Sequence, residues 1–141
     1  MPRRTESHCP ADWLWIAASD LELVHLAVEQ QVGFHAARAK LAEVLEKVLK
    51  AELLRLGWVL EKTHDLDRLL ELLRQHGAPT VAAAEPLCDQ LAEVYFTDRY
   101  PGFDFDDPDW TVLRAVAGQV GALLNTVQAQ LAPPSADLPG A

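Results

Sequence analysis

The sequence predicts an all-α fold, an antiparallel up-and-down helical bundle of about five helices. Three observations carry that prediction. Apolar residues recur at helical spacing through long stretches, as in Leu41, Val44, Leu45, Val48 and Leu49, which is the pattern of helices with a buried face. Glycine and proline interrupt the chain between those stretches, at Gly33, Gly57, Gly77, Pro101, Gly102 and Pro108, where helices stop or start. No segment alternates apolar and polar residues convincingly enough to read as a strand. A chain of 141 residues forms one domain that buries roughly two-thirds of its unfolded surface, so it needs neither a metal nor a disulfide to fold.

Residues 1–11 are polar and contain two prolines, so a flexible arm is expected there, ahead of a bundle spanning 12–131 and a proline-rich, disordered tail at 132–141. The first helix is expected to open on Asp12 as its N-cap and to run to about Gln31, with Trp13, Ile16, Ala17, Leu21, Val24 and Val28 on one face. Asp20 falls on that same face. A carboxylate there is expected to pair with a basic residue of the next helix, a functional acid being the alternative.

The second helix runs from Phe34 to Leu56 and stops at Gly57, a fitting C′ residue. Glu43 with Lys47 and Glu46 with Lys50 are pairs in the favourable order, contributing about 0.3 kcal/mol each. Lys40, Glu43, Lys47 and Lys50 fall on the arc opposite the apolar one, so they are expected in solvent. Glu52 and Arg55 project onto the apolar arc instead and are expected to meet charges on a neighbouring helix, Asp20 among them.

Thr63 and Asp65 can each cap a third helix, which continues through Leu66, Leu69, Leu70, Leu72 and Leu73 to Gly77. Asp65 and Asp67 suit the positive end of its dipole, and Arg74 and His76 suit the other. Residues 78–84 form a connector able to coil into a turn of helix. A fourth helix is expected over about Pro86–Asp98 with Pro86 in its first turn and Leu87, Leu91, Val94 and Tyr95 inward. Phe103 and Phe105, in an acidic loop, cap the end of the bundle. Asp107 as N-cap and Pro108 at N1 then open a fifth helix that reaches Leu131.

Composition narrows the function classes. No apolar run is long enough to span a bilayer, and Arg3 and Arg4 lead into polar residues rather than a secretory signal, so a cytoplasmic location is expected. Cys9 and Cys88 have no metal-ligand spacing and read as free thiols. The net charge of −9 argues against a general nucleic-acid coat. Charge is uneven, however. Arg38, Lys40, Lys47, Lys50, Arg55 and Lys62 are half of the 12 basic residues, whereas Glu85–Asp109 holds eight acids and the single base Arg99. A weakly basic face permits one anionic ligand or a local RNA contact, and the acidic flank permits a basic partner.

Four pieces occur in order: Ser19-Asp20-Leu21, Glu46-Lys47-Val48-Leu49-Lys50-Ala51, Thr63-His64-Asp65-Leu66, and Tyr95 with Arg99-Tyr100-Pro101. Together they resemble the HEPN domain family over nearly the whole chain, from about Trp13 to Leu131. The resemblance implies an all-α bundle that is often a homodimer. It also implies a partner, a minimal nucleotidyltransferase encoded alongside, in a pair of toxin–antitoxin type, and an association with nucleotide or RNA. Some family members are metal-independent ribonucleases with an arginine followed shortly by a histidine on the last helix. Here the fifth helix carries Arg114 and no histidine, which departs from that pattern. Arg55 and His64, like Arg68 and His76, lie further apart than the motif requires.

Lys47, Lys50, His64, Arg99 and Tyr100 are the candidate ligand-binding residues. His64 belongs to the side-chain type that moves protons near neutrality, and it sits at a helix entrance. It serves either as an acid/base or phosphate contact or as a structural hydrogen bond between helices. Arg99 beside Tyr100 can clamp a phosphate or stack on a base, or else pair with Asp98, Asp104 or Asp106. His64 and Arg99 together are the alternative catalytic set, for a ribonuclease. Lys47 and Lys50 read as solvated partners of Glu43 and Glu46. No phosphate loop, zinc spacing or nucleophile elbow occurs, so neither a cofactor, a metal nor self-sufficient catalysis is expected. A structural dimerisation domain without ligand is the further alternative.

Overall fold

The computed structural model describes residues 7–94 and 107–131. They form five helices: α1 (Pro10–Gln30), α2 (Phe34–Arg55), α3 (Leu66–Gln75), α4 (Val81–Leu91) and α5 (Trp110–Leu131). No strand occurs among the described residues. The protein is therefore an all-α helical bundle, as the apolar periodicity predicts. Tyr95, Arg99, Tyr100, Phe103, Phe105 and the expected end of the fourth helix at Asp98 lie outside the described residues, as do residues 1–6 and 132–141.

α2 is the axis of the bundle, because α1, α3, α4 and α5 all pack against it. Its Leu41, Leu45, Leu49 and Leu53 are fully buried, together with Leu14 of α1, Leu69 and Leu73 of α3, Leu87 and Leu91 of α4, and Val120 of α5. Expecting one wet arc on α2 was therefore too generous. A helix with four neighbours has little free circumference, so Glu46, Lys50 and Glu52 are buried as well. Lys50 is not the solvated lysine that its pairing with Glu46 suggests. The other arc residues, Lys40, Glu43 and Lys47, are half-buried.

The helix ends show local chemistry at work. Gly57 has φ +95°, and the N–H groups of Gly57 and Trp58 donate to the carbonyls of Leu54 and Leu53 at 3.1 and 3.0 Å. This paired capping needs a left-handed residue, which glycine adopts without steric cost, and it drives Trp58 into the core. Gly77 and Ala78 repeat the arrangement after α3, on Arg74 and Leu73. At the end of α1 the same job falls to Gln31, with φ +52°.

Three helix starts differ from expectation. α1 begins at Pro10 after Cys9, two residues before Asp12 could cap it. Proline suits a first helical position because its missing N–H needs no partner there, and Asp12 instead accepts a hydrogen bond from Ser7 Oγ at 2.7 Å. α5 begins after Asp109, whose Oδ1 accepts the Val112 N–H at 3.1 Å, so Asp109 takes the capping role expected of Asp107. α4 begins at Val81 and carries Pro86 in its interior. Three consecutive alanines favour helix and Ala84 is buried in the core, so the connector joins α4. The carbonyl that Pro86 leaves without its helical partner belongs to Ala82, which is exposed and can turn to water.

Candidate functional site

The charged residues of α2 sort into three sets along its length. Lys47 leaves its own helix and pairs with Asp20 of α1, each side chain 20% exposed. This is the cross-helix pairing expected of Asp20, although Lys47 was expected on Glu43. Glu43 lies near Lys40 instead, at 3.5 Å.

The second set gathers around Glu46. Lys50 Nζ donates to Glu46 Oε2 at 2.9 Å and lies 5.3 Å from the centroid of the Trp13 ring, close enough for a cation–π attraction. Trp13 is held in turn by its indole N–H, which donates to the Ser7 carbonyl at 2.7 Å. From the α2–α3 loop, His64 brings Nδ1 to 3.0 and 3.2 Å from the two Glu46 oxygens. An ionised carboxylate only accepts, so Nδ1 carries the proton of this contact. The loop itself is pinned at both ends. Trp58 is buried at its start, and Asp65 caps α3 at its end by accepting the Asp67 and Arg68 N–H groups at 3.0 and 3.2 Å.

The third set lies one to two turns further along α2. Glu52 is fully buried and accepts from Arg55 Nε at 2.7 Å and from Thr80 Oγ1 at 2.9 Å. Arg55 has its pKa raised by this hydrogen bond, against the opposing effect of partial burial. The partners expected for Glu52 and Arg55 on other helices thus reduce to one neutral hydroxyl, just before α4, and to each other. No buried side-chain nitrogen or oxygen among the described residues lacks a hydrogen-bond partner.

The fold therefore brings Lys50 and His64 of the candidate set together on a single carboxylate, and places Lys47 on a different one. Arg99 and Tyr100 lie outside the described residues. Glu46 is the residue whose importance sequence reasoning missed. Its pairing with Lys50 was legible from their spacing, but the closure by His64 spans 18 positions and has no local signal. Trp13 and Thr80 were also missed as polar partners, since indole and hydroxyl groups give no sign of what they face.

Chemically, Glu46 orients His64, whose side chain is 58% exposed. That is the geometry of an oriented acid/base, with Lys50 offsetting the charge of the carboxylate. A thiol nucleophile is absent from the cluster. Cys88 is buried, and burial, followed by the nearby Asp67 and Asp89 charges, pushes its thiol up to about 12. No group of His, Cys, Asp and Glu among the described residues could hold a metal ion. No described helix is long and apolar enough to cross a membrane.

Among curated proteins and among solved structures, none matches the chain. A family model does, that of the HEPN domain, over residues 10–128. The match takes in α1 to α4 and most of α5, and with them Asp20, Glu46, Lys47, Lys50, His64 and Asp65. The chain belongs to the HEPN domain family.

Proposed function

We propose that the protein is a protein-binding, nucleotide- or RNA-associated HEPN module that forms a homodimer and works with a separate minimal nucleotidyltransferase, in a pair of toxin–antitoxin type. The observation that carries this proposal is the outer surface of α1. Trp15, Leu23 and Leu26 are 61%, 57% and 57% exposed, and helical geometry puts them on one side, opposite the buried Leu14, Ala17, Leu21, Val24 and Val28. Val32, just past the helix end, is 64% exposed. Large apolar side chains grouped on one helix face mark a surface that another protein covers. The Glu46 cluster supports the same view, since its charged groups satisfy one another and serve the fold first.

Co-expression with the nucleotidyltransferase of the neighbouring gene tests the proposal, followed by affinity purification and light scattering. A stable complex is expected, and a dimer of the chain alone. Trp15→Glu combined with Leu26→Glu should weaken association while leaving helix content unchanged. A monomer that retains no nucleotidyltransferase would overturn the proposal.

One observation favours a second reading, a ribonuclease using His64 with Arg99. Glu46 holds an exposed histidine by one ring nitrogen, as orienting carboxylates do for general bases. Incubation of the purified protein with mixed RNA decides it. Cleavage that persists in both His64→Ala and Arg99→Ala, or no cleavage at all, removes this reading.

A further inference from the structure

The acidic side chains of α1 divide into two kinds. Asp12 accepts from Ser7 Oγ and Asp20 pairs with Lys47, so both are engaged within the fold. Glu22 and Glu29 are exposed, and neither pairs with a basic side chain among the described residues. The helix itself, Pro10–Gln30, contains no lysine or arginine.

Glu22, Leu26 and Glu29 stand at i, i+4 and i+7, so one stripe of α1 carries an exposed leucine between two exposed carboxylates. At roughly 1.5 Å per residue the two glutamates lie about 10 Å apart along the axis. Leu23 beside this stripe and Val32 beyond the helix end are exposed as well. A partner that covers Leu23 and Leu26 also takes Glu22 and Glu29 out of water, and a carboxylate withdrawn from water without a cation is costly. Whatever covers this face must therefore bring positive charge.

That requirement sorts the occupants. A second copy docked about a two-fold axis through this face sets α1 against α1, bringing Glu22 and Glu29 of both copies together with no lysine or arginine between them. A homodimer must then use another surface. Nucleic acid and anionic lipid meet repulsion from the same glutamates. We propose, on the reading of the α1 outer face as a surface that another protein covers, that its C-terminal half takes a basic amphipathic helix of a different protein. That helix lays apolar side chains on Leu23 and Leu26 and sets two lysines or arginines, two turns apart, against Glu22 and Glu29.

Fluorescence anisotropy with the full chain tests this with two labelled, alanine-rich helical peptides of about 18 residues, long enough to hold a helix in water. Both carry two leucines on one face; one peptide flanks them with lysines two turns apart, the other with glutamates. Saturable, salt-sensitive binding of the lysine peptide is expected, with the glutamate peptide weaker by about tenfold or more. Glu22→Lys with Glu29→Lys should reverse that preference, and Glu85→Gln with Asp89→Asn, two exposed acids of α4, should leave it unchanged. No saturable binding of the lysine peptide, equal binding of the two peptides, or a preference that the double lysine variant keeps overturns the proposal. So does an equal loss in the α4 variant, which would assign binding to the net charge of −9. Should the double lysine variant lose helix content by circular dichroism, Glu22→Gln with Glu29→Gln takes its place, with an expected loss of about tenfold. Light scattering separates failure here from failure of the reading beneath it. Self-association of the parent chain that Leu23→Asp with Leu26→Asp abolishes keeps α1 as a covered surface but gives it to a second copy, which overturns the basic partner alone. Peptide binding and association that are both indifferent to Leu23→Asp with Leu26→Asp overturn the two together.

Discussion

Replacing Lys50 with methionine separates a buried structural pair from a solvated one. The Lys50 and Glu46 side chains are 4% and 8% exposed, and their charged atoms are 2.9 Å apart. Methionine keeps the unbranched stem and a favourable contact for the Trp13 ring, so the substitution removes the charge with little loss of packing. What remains is a buried carboxylate with His64 against it. Removing one partner of a buried ion pair costs about 3–5 kcal/mol, and the hydrogen bond that His64 still makes to the carboxylate places the loss at the lower end, about 3 kcal/mol. For a chain of this size each kcal/mol moves the melting temperature by roughly 3 °C, so Lys50→Met should lower it by about 10 °C in differential scanning calorimetry. Glu46→Gln added to Lys50→Met should restore much of the loss, since a neutral amide can still bond to His64. A change within about 0.5 kcal/mol for the single substitution, as expected of an exposed pair, would refute the reasoning.

Three further substitutions probe the rest of the fold. Thr80→Val removes the hydroxyl from the fully buried Glu52 and should cost about 1–3 kcal/mol in urea unfolding, with Thr80→Ser much milder; equal losses would show that packing, not the hydrogen bond, matters. Gln31 holds φ +52° at the end of α1, so Gln31→Gly should stabilise by up to about 1 kcal/mol, and a lower melting temperature contradicts this. For Cys88 the folded thiol sits at about 12, above the ordinary 9.0. Its contribution is full below pH 9 and is lost as pH rises towards 12, because the unfolded chain gives up the proton first; the slope is at most about 1.4 kcal/mol per pH unit. Unfolding measured from pH 8 to 10.5 should show a shallower alkaline decline in Cys88→Ala than in the parent, and identical slopes would refute the burial argument.

Most of the fold was legible because helices announce themselves locally. The apolar spacing in α2, the Gly57 and Gly77 stops and the Asp65 cap all act within a turn or two of their own position. The starts that shifted were cases of near-equivalent chemistry. Asp107 and Asp109 are both good caps, and the backbone uses the second. At α4 the preference of proline for a first turn lost to three alanines, one of them packed in the core. The site was less legible, since its defining contacts are non-local. A helical projection separates apolar from polar arcs, but it cannot say how many neighbours surround a helix. Lys50 therefore read as solvated, and nothing near Glu46 in the chain revealed that His64 would close on it.

That closure bears on what a family signature means. Glu46, Lys50 and His64 belong to the pieces by which the chain resembles its family, and all three meet at one carboxylate. Glu46 and Lys50 also need each other. Without Lys50, Glu46 is a buried charge beside His64 alone; without Glu46, Lys50 loses its carboxylate and His64 its contact with α2. Residues bound together in this way serve the architecture whether or not chemistry is done with them. Their use beyond the fold depends on the His64 side chain, which is 58% exposed. His64→Ala would then abolish an activity or a ligand contact at little cost in stability, whereas Glu46→Ala would lose both together. Separating these two outcomes tells a site built on the cluster from a cluster that only holds the bundle.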